Sequence, residues 1–137
     1  MPDVVSTRPL LDKLGVRPGA RVAIAGVDDE PFGLLLSGRT DDVTILGPVD
    51  LPRPSTDLVF LAADSTAELA RIGALRPSLV PDGAIWIVSR KGRARTLRDV
   101  DVIDAGRSFD MIDNKVVNFS DAHSAIRLVI PRALRPR

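Results

Sequence analysis

Few residues in this chain combine a type and a spacing that could do chemistry. His123 stands among Ser120, Asp121 and Ser124, the residue types of a nucleophile, a base and an orienting acid. Three such groups within one tight turn rarely align, because a triad needs them to converge from separate elements. No Gly-x-Ser-x-Gly elbow occurs in the sequence to expose a serine nucleophile, so the segment reads as a turn. Cysteine is absent and histidine occurs once. Thiol nucleophiles, disulfides and zinc clusters are thereby excluded, and a transition-metal site within one chain is disfavoured. No catalytic residue and no metal ligand is assigned.

Two charged segments remain. Asp28-Asp29-Glu30 directly precede Pro31, the pattern of a capped helix start; the alternative is a site for a cationic ligand group or a metal. Free amides at a helix start ordinarily attract phosphate, and three carboxylates there would satisfy those amides and repel it. The second segment packs Arg90, Lys91, Arg93, Arg95 and Arg98 into nine residues. Such a run could contact anions or nucleic acid through phosphates, and it also describes a solvated loop. No aromatic residue lies nearby to stack on bases, and tyrosine is absent throughout, which weakens single-strand binding.

These residues need elements to position them, and the composition limits what those can be. The chain has 137 residues with 45% hydrophobic and 27% charged side chains, which is one globular domain and not two, spanning 1–137. Lys and Arg number 19 against 18 Asp and Glu, a formal charge of +1. That balance excludes a histone-like nucleic-acid coat. It conceals an asymmetry: residues 1–75 carry 7 basic and 11 acidic groups, residues 76–137 carry 12 and 7. The N-terminus lacks the basic and apolar regions of a signal peptide, and no apolar run approaches a membrane span. A cytoplasmic protein with no membrane partner is expected.

Breakers divide the chain into short apolar runs. Thr7 can cap a short helix that has Pro9 in its first turn and Gly15 at its end. After the Pro18-Gly19 turn, residues 21–25 are too short for a helix and apolar on both faces, as in a buried parallel strand. An acid-capped helix through Ser37 follows, then a strand at 43–46 and a Pro-rich link. Residues 58–63 form a third strand, and Ser65 opens a helix of about 14 residues with apolar Leu69, Ile72, Leu75 and Leu79, which Pro77 can kink. Pro81-Asp82-Gly83 reads as a turn into a fourth strand at 84–88, whose Trp86 is read as core. The basic loop leads to a helix around 97–107. Strands at 115–119 and 125–130 then form an antiparallel hairpin. Strand–helix alternation of this kind implies a mostly parallel sheet covered on both faces.

Three stretches carry a resemblance. Leu14-Gly15-Val16-Arg17-Pro18-Gly19-Ala20-Arg21-Val22-Ala23-Ile24, Arg76-Pro77-Ser78-Leu79-Val80-Pro81-Asp82-Gly83-Ala84-Ile85-Trp86-Ile87 and the closing hairpin resemble a small bacterial family of unknown function. Its members look like trimmed class I SAM-dependent methyltransferase domains. The resemblance covers nearly the whole chain and implies a three-layer Rossmann-like α/β fold. Its six strands would lie in the order 2-1-3-4-6-5, with strand 6 antiparallel. Where relatives tend to carry Asp-Glu-Thr-Trp-Ser-Gly in the hairpin, this chain has Ser120-Asp121-Ala122-His123-Ser124-Ala125 and keeps only Ser124.

The resemblance places Gly26, Asp28, Asp64 and Ser89 around a candidate crevice at the carboxyl ends of the strands, where methyltransferases carry cofactor and catalytic groups. Asp64-Ser65-Thr66 also reads as a helix cap. Active relatives end strand 1 with an acid and a Gly-x-Gly turn, and end strand 2 with an acid for the ribose. Here Gly26 is followed by Val27, and strand 2 ends Leu46-Gly47-Pro48. SAM is therefore disfavoured and no cofactor is expected. The preferred reading is a non-catalytic domain that binds a protein partner or self-associates. The alternatives are a small-molecule or SAM enzyme with a non-standard pocket, and a nucleic-acid-associated protein using residues 90–98.

Overall fold

The computed structural model describes residues 9–135. The expected cap at Thr7 and the final Arg137 lie outside that range. Six strands form one sheet: β1 Val22–Ala25, β2 Val43–Leu46, β3 Thr56–Ala62, β4 Leu79–Arg90, β5 Ile112–Asn118 and β6 His123–Val129. They lie in the order β2-β1-β3-β4-β6-β5. The first four are parallel, and β6 runs antiparallel to both β4 and β5. This is the order that the resemblance implies.

Helices cover both faces because the central strands are apolar on both. On one face, α1 (Leu10–Lys13) and α2 (Glu30–Ser37) bring Leu11, Leu14, Phe32 and Leu36 against Val22, Ile24, Phe60 and Trp86. On the other, α3 (Thr66–Leu69), α4 (Ile72–Leu75) and α5 (Asp99–Ser108) bring Leu69, Ile72, Leu75 and Val102 against Val59, Leu61, Ile85 and Ile87. Each large apolar side chain so buried contributes roughly 1.5–3 kcal/mol of transfer free energy. Trp86 is fully buried core, as expected, and its indole Nε1 donates to the Leu14 carbonyl at 3.0 Å. That bond pins the end of α1 to the sheet.

The helix ends follow the capping chemistry. Asp29 Oδ1 accepts the Phe32 amide at 2.9 Å, with Pro31 in the first turn of α2. Gly15 closes α1 at φ +73°, while the Val16 amide reaches the Leu11 carbonyl at 2.9 Å, an αL termination that favours glycine.

Two expectations are corrected. The 14-residue helix after Ser65 is two single turns, α3 and α4, followed by a 3₁₀ turn at Arg76–Ser78. The break at Ala70-Arg71 tightens to i→i−3 bonds, Ala70 to Ala67 and Arg71 to Glu68. Downstream, Pro77 supplies no amide donor. The Pro81-Asp82-Gly83 turn is also not a connection ahead of β4 but a bulge within it. Register passes from Thr56↔Leu79 to Leu58↔Ala84, so residues 80–83 are extra residues opposite Asp57. Gly83 is required there, since a Cβ would stand 2.9 Å from the Asp57 carbonyl oxygen.

Candidate functional site at the carboxyl edge

The carboxyl ends of β1, β3 and β4 meet the β5–β6 hairpin in a crevice. Gly26, Asp28 and Asp64 line it together with Asp29, Phe119 and His123. Ser89 does not. Val88 faces the crevice, and alternation along the strand turns Ser89 to the opposite face. Its hydroxyl is buried there without a hydrogen-bond partner among the described residues.

The crevice is nearly filled, at about 40 Å³, roughly one water's share of liquid volume. Phe119 closes it from the hairpin. Its ring lies 4.9 Å from that of Phe32, which in turn meets Phe60 edge-on at 5.0 Å. Aromatic clusters of this geometry add stability beyond their buried area. The sequence treated Phe119 only as a strand residue; an aromatic adjoining a hairpin turn is the signal that was available.

Of the three acids that line the crevice, Asp29 and Asp64 are engaged within the chain, and Asp28 has no side-chain partner among the described residues. Asp64 Oδ1 accepts the Arg90 amide at 2.8 Å, Asp64 Oδ2 lies 3.7 Å from Arg90 Nε, and the Asp64 carbonyl accepts the Thr96 hydroxyl at 2.6 Å. Asp64 thus anchors the start of the basic loop. The cap of α3 is Ser65, whose Oγ accepts the Glu68 amide at 3.2 Å, while Glu68 Oε1 accepts the Asp64 amide and the Ser65 hydroxyl. This reciprocal capping box uses Asp64 only through its backbone. Among the described residues, no cluster of His, Asp and Glu has metal-binding geometry.

The basic loop is paired in the same way. Lys91 Nζ bonds Asn118 Oδ1, Arg95 bonds Asp99, and Arg98 makes bonds of 2.9 and 3.2 Å to Asp101. Of the five cations, Arg93 alone has no such partner among the described residues. The Asp101 carboxyl is held below the usual carboxylate range by its bonds to the Arg98 side chain and amide. With Arg90, Arg95 and Arg98 paired to carboxylates, the loop offers a reduced field to a phosphate backbone.

Beside the crevice, on the α3 face, a shallow groove of about 520 Å³ runs over the ends of β1, β2 and β3, past Gly26, Gly47 and Ala62. Its polar residues are Glu68, engaged in the capping box, and Arg71. Arg71 Nη2 donates to the carbonyls of Gly47 at 2.5 Å and Asp50 at 3.1 Å. The Asp50 carboxylate turns back to accept the Gly47 amide at 2.7 Å. Asp50 is the first acid after β2, and it closes its own loop.

The strand order, the reversed last strand and the helices on both faces together decide the architecture. This is the class I methyltransferase fold. A SAM-dependent methyltransferase from Aquifex aeolicus matches over 89% of this chain and 88% of its own, with a TM-score of 0.65 at 14% identity. The N-methyltransferase NodS of Bradyrhizobium japonicum matches with a TM-score of 0.64 at 11% identity, over 89% and 92%. The pyocyanin biosynthetic protein PhzM gives a TM-score of 0.62 at 15% identity, and there the chain spans only 53% of the matched protein. No protein-family model and no curated protein sequence matches. At such identities the methyltransferase fold is what is shared. No helix among the described residues is long and apolar enough to cross a membrane.

Proposed function

We propose that this chain is a methyltransferase-fold domain that acts by binding, to a protein partner or to a second copy of itself, and not by methyl transfer. The observation that carries the reading is that the positions where a SAM site needs a second glycine and a free carboxylate are occupied otherwise. A SAM site needs a glycine turn after β1 and a carboxylate at the end of β2. Val27 follows Gly26, and Asp50 is turned onto the Gly47 amide under Arg71. Asp64, at the position of a catalytic group in this layout, holds Arg90 and stands beside a crevice of about 40 Å³. These residues do not fit the cofactor.

The surface favours binding. β2 is an edge strand, whose free backbone groups can pair with another chain. Around it Ile45, Val49 and Leu51 are 71%, 90% and 62% exposed. Apolar side chains gathered at an unprotected edge mark association surfaces more often than single exposed residues do.

Calorimetry with SAM at millimolar concentration, paired with a methyl-transfer assay, tests the first half; no saturable heat and no transfer are expected. Saturable binding with turnover would overturn it. Light scattering tests the second half: Ile45→Lys is expected to abolish concentration-dependent association of the chain. If the wild-type chain stays monomeric at high concentration, the partner is a different protein.

A further inference from the structure

The opposite, amino edge of the sheet holds a cavity of about 230 Å³ between the α1–β1 loop and the β4 bulge, lined by Arg17, Gly19, Asp57, Asp82, Gly83 and Arg127 among others. Arg127 sits mid-way along β6, paired in register with Trp86. Its Nε is buried with no hydrogen-bond partner among the described residues, and its guanidinium makes no ion pair there. Burial pulls its pKa below the ordinary arginine value; the nearby Arg135 adds to that and Asp82 opposes it. The side chain is half-buried, and leaving its buried Nε donor unsatisfied is costly. A hydrophobic residue would pack between the same strands without that cost. Asp82 lines the same cavity and attracts Arg127 without bonding to it, which leaves the guanidinium open to an anion from outside the chain.

The remaining lining adds the opposite charge. Asp57 has one carboxylate oxygen bonded to the Arg21 amide at 2.8 Å, and Asp82 makes no hydrogen bond among the described residues. Both stand at the bulge where residues 80–83 leave the β3–β4 ladder. Gly83 lines the cavity at the same bulge. The cavity holds on the order of eight waters and is smaller than drug-sized sites of roughly 300 Å³ and above.

We infer that this cavity binds a small zwitterion of the α-amino-acid class, its carboxylate on Arg127 and its ammonium toward Asp57 and Asp82. The site is independent of the carboxyl edge and does not rest on the binding role proposed above. An arginine fork suits a carboxylate because two parallel N–H bonds can form at once.

The test is calorimetry of the full chain with each of the twenty amino acids at millimolar concentration, against propionate and ethylamine as half-ligands. At least one amino acid is expected to bind saturably, one per chain, and more tightly than either half-ligand. Arg127→Met should weaken that binding by about tenfold to a hundredfold, the scale of a charge-assisted bond, and Asp82→Asn should weaken it less. Binding by none of the amino acids, equal binding by propionate, or undiminished binding to Arg127→Met would overturn the proposal. Should Arg127→Met fail to fold, backbone amide shifts of the wild-type chain decide. Ligand-induced shifts at Gly19, Asp57 and Gly83 are expected, and shifts confined to other residues would overturn it.

Discussion

The two edges of the sheet treat charge in opposite ways. At the carboxyl edge Asp64 holds Arg90, Asp99 holds Arg95 and Asp101 holds Arg98, and Phe119 packs into the crevice that Asp64 lines. At the amino edge the half-buried Arg127 has no carboxylate bonded to it among the described residues, beside a cavity of about 230 Å³. Asp28 and Arg93 aside, the first arrangement is paired without a ligand. The second is not. Fold likeness directs attention to the carboxyl edge, because open α/β sheets bind ligands there; the local chemistry of this chain directs it to the other.

The largest effect should come from removing the filling of the carboxyl edge. Phe119→Ala deletes a buried ring that packs on Phe32 and should lower unfolding free energy by about 3–5 kcal/mol in urea titration. A loss under about 1 kcal/mol would mean that the crevice is loosely filled, and the contrast between the edges would weaken. Gly83→Ala comes next. Its new Cβ would press on the Asp57 carbonyl, and a strain cost of about 1–3 kcal/mol is expected.

Arg127→Met sharpens the comparison through its sign. A structural arginine should destabilise the fold when lost. An arginine retained for a ligand should leave the ligand-free chain unchanged or stabilised by about 1 kcal/mol, since stability is often sacrificed at sites kept for function. Thermal unfolding without added ligand distinguishes the two. Asp64→Ala should cost about 1 kcal/mol through the lost bond to the Arg90 amide, measured in the same way.

The smallest effect concerns pH. The Asp101 carboxyl is lower in the folded chain than an unpaired aspartate in the unfolded one. Its contribution is therefore present above the unfolded pKa and is lost as pH falls through the folded value. Asp101→Asn should flatten that part of the acid limb slightly, and an identical limb in both proteins would remove Arg98–Asp101 from the account. Arg98 is exposed and Asp101 half-buried, so salt should diminish the difference in part.

Much of the fold was legible because buried parallel strands announce themselves as short apolar runs between breakers. Residues 43–46 and 84–88 were placed on that ground alone, and Asp29 and Gly15 marked helix ends by their own chemistry. The helix after Ser65 was misjudged because its apolar spacing is consistent with a helix, while the break at Ala70-Arg71 coincides with a tertiary contact. Arg71 reaches across to Gly47 and Asp50, and no local pattern contains that. The face of Ser89 was equally hidden. A strand end can be located from sequence, but its pleat phase depends on pairing with β3 and β6. Arg127 left one usable trace: a lone charge within the run Ala125-Ile126-Arg127-Leu128. It disappeared into the count of basic residues in the second half, where it is the one that matters most.

The most direct test of the contrast is a single amide-shift titration of the labelled chain, first with SAM and then with the amino acid that calorimetry selects. Unmoved signals at Gly26, Val27 and Gly47 under SAM, followed by shifts at Gly19, Asp57 and Gly83 under the amino acid, are the expected result. Saturable shifts at Gly26, Val27 and Gly47 under SAM, with the amino edge silent throughout, would contradict it.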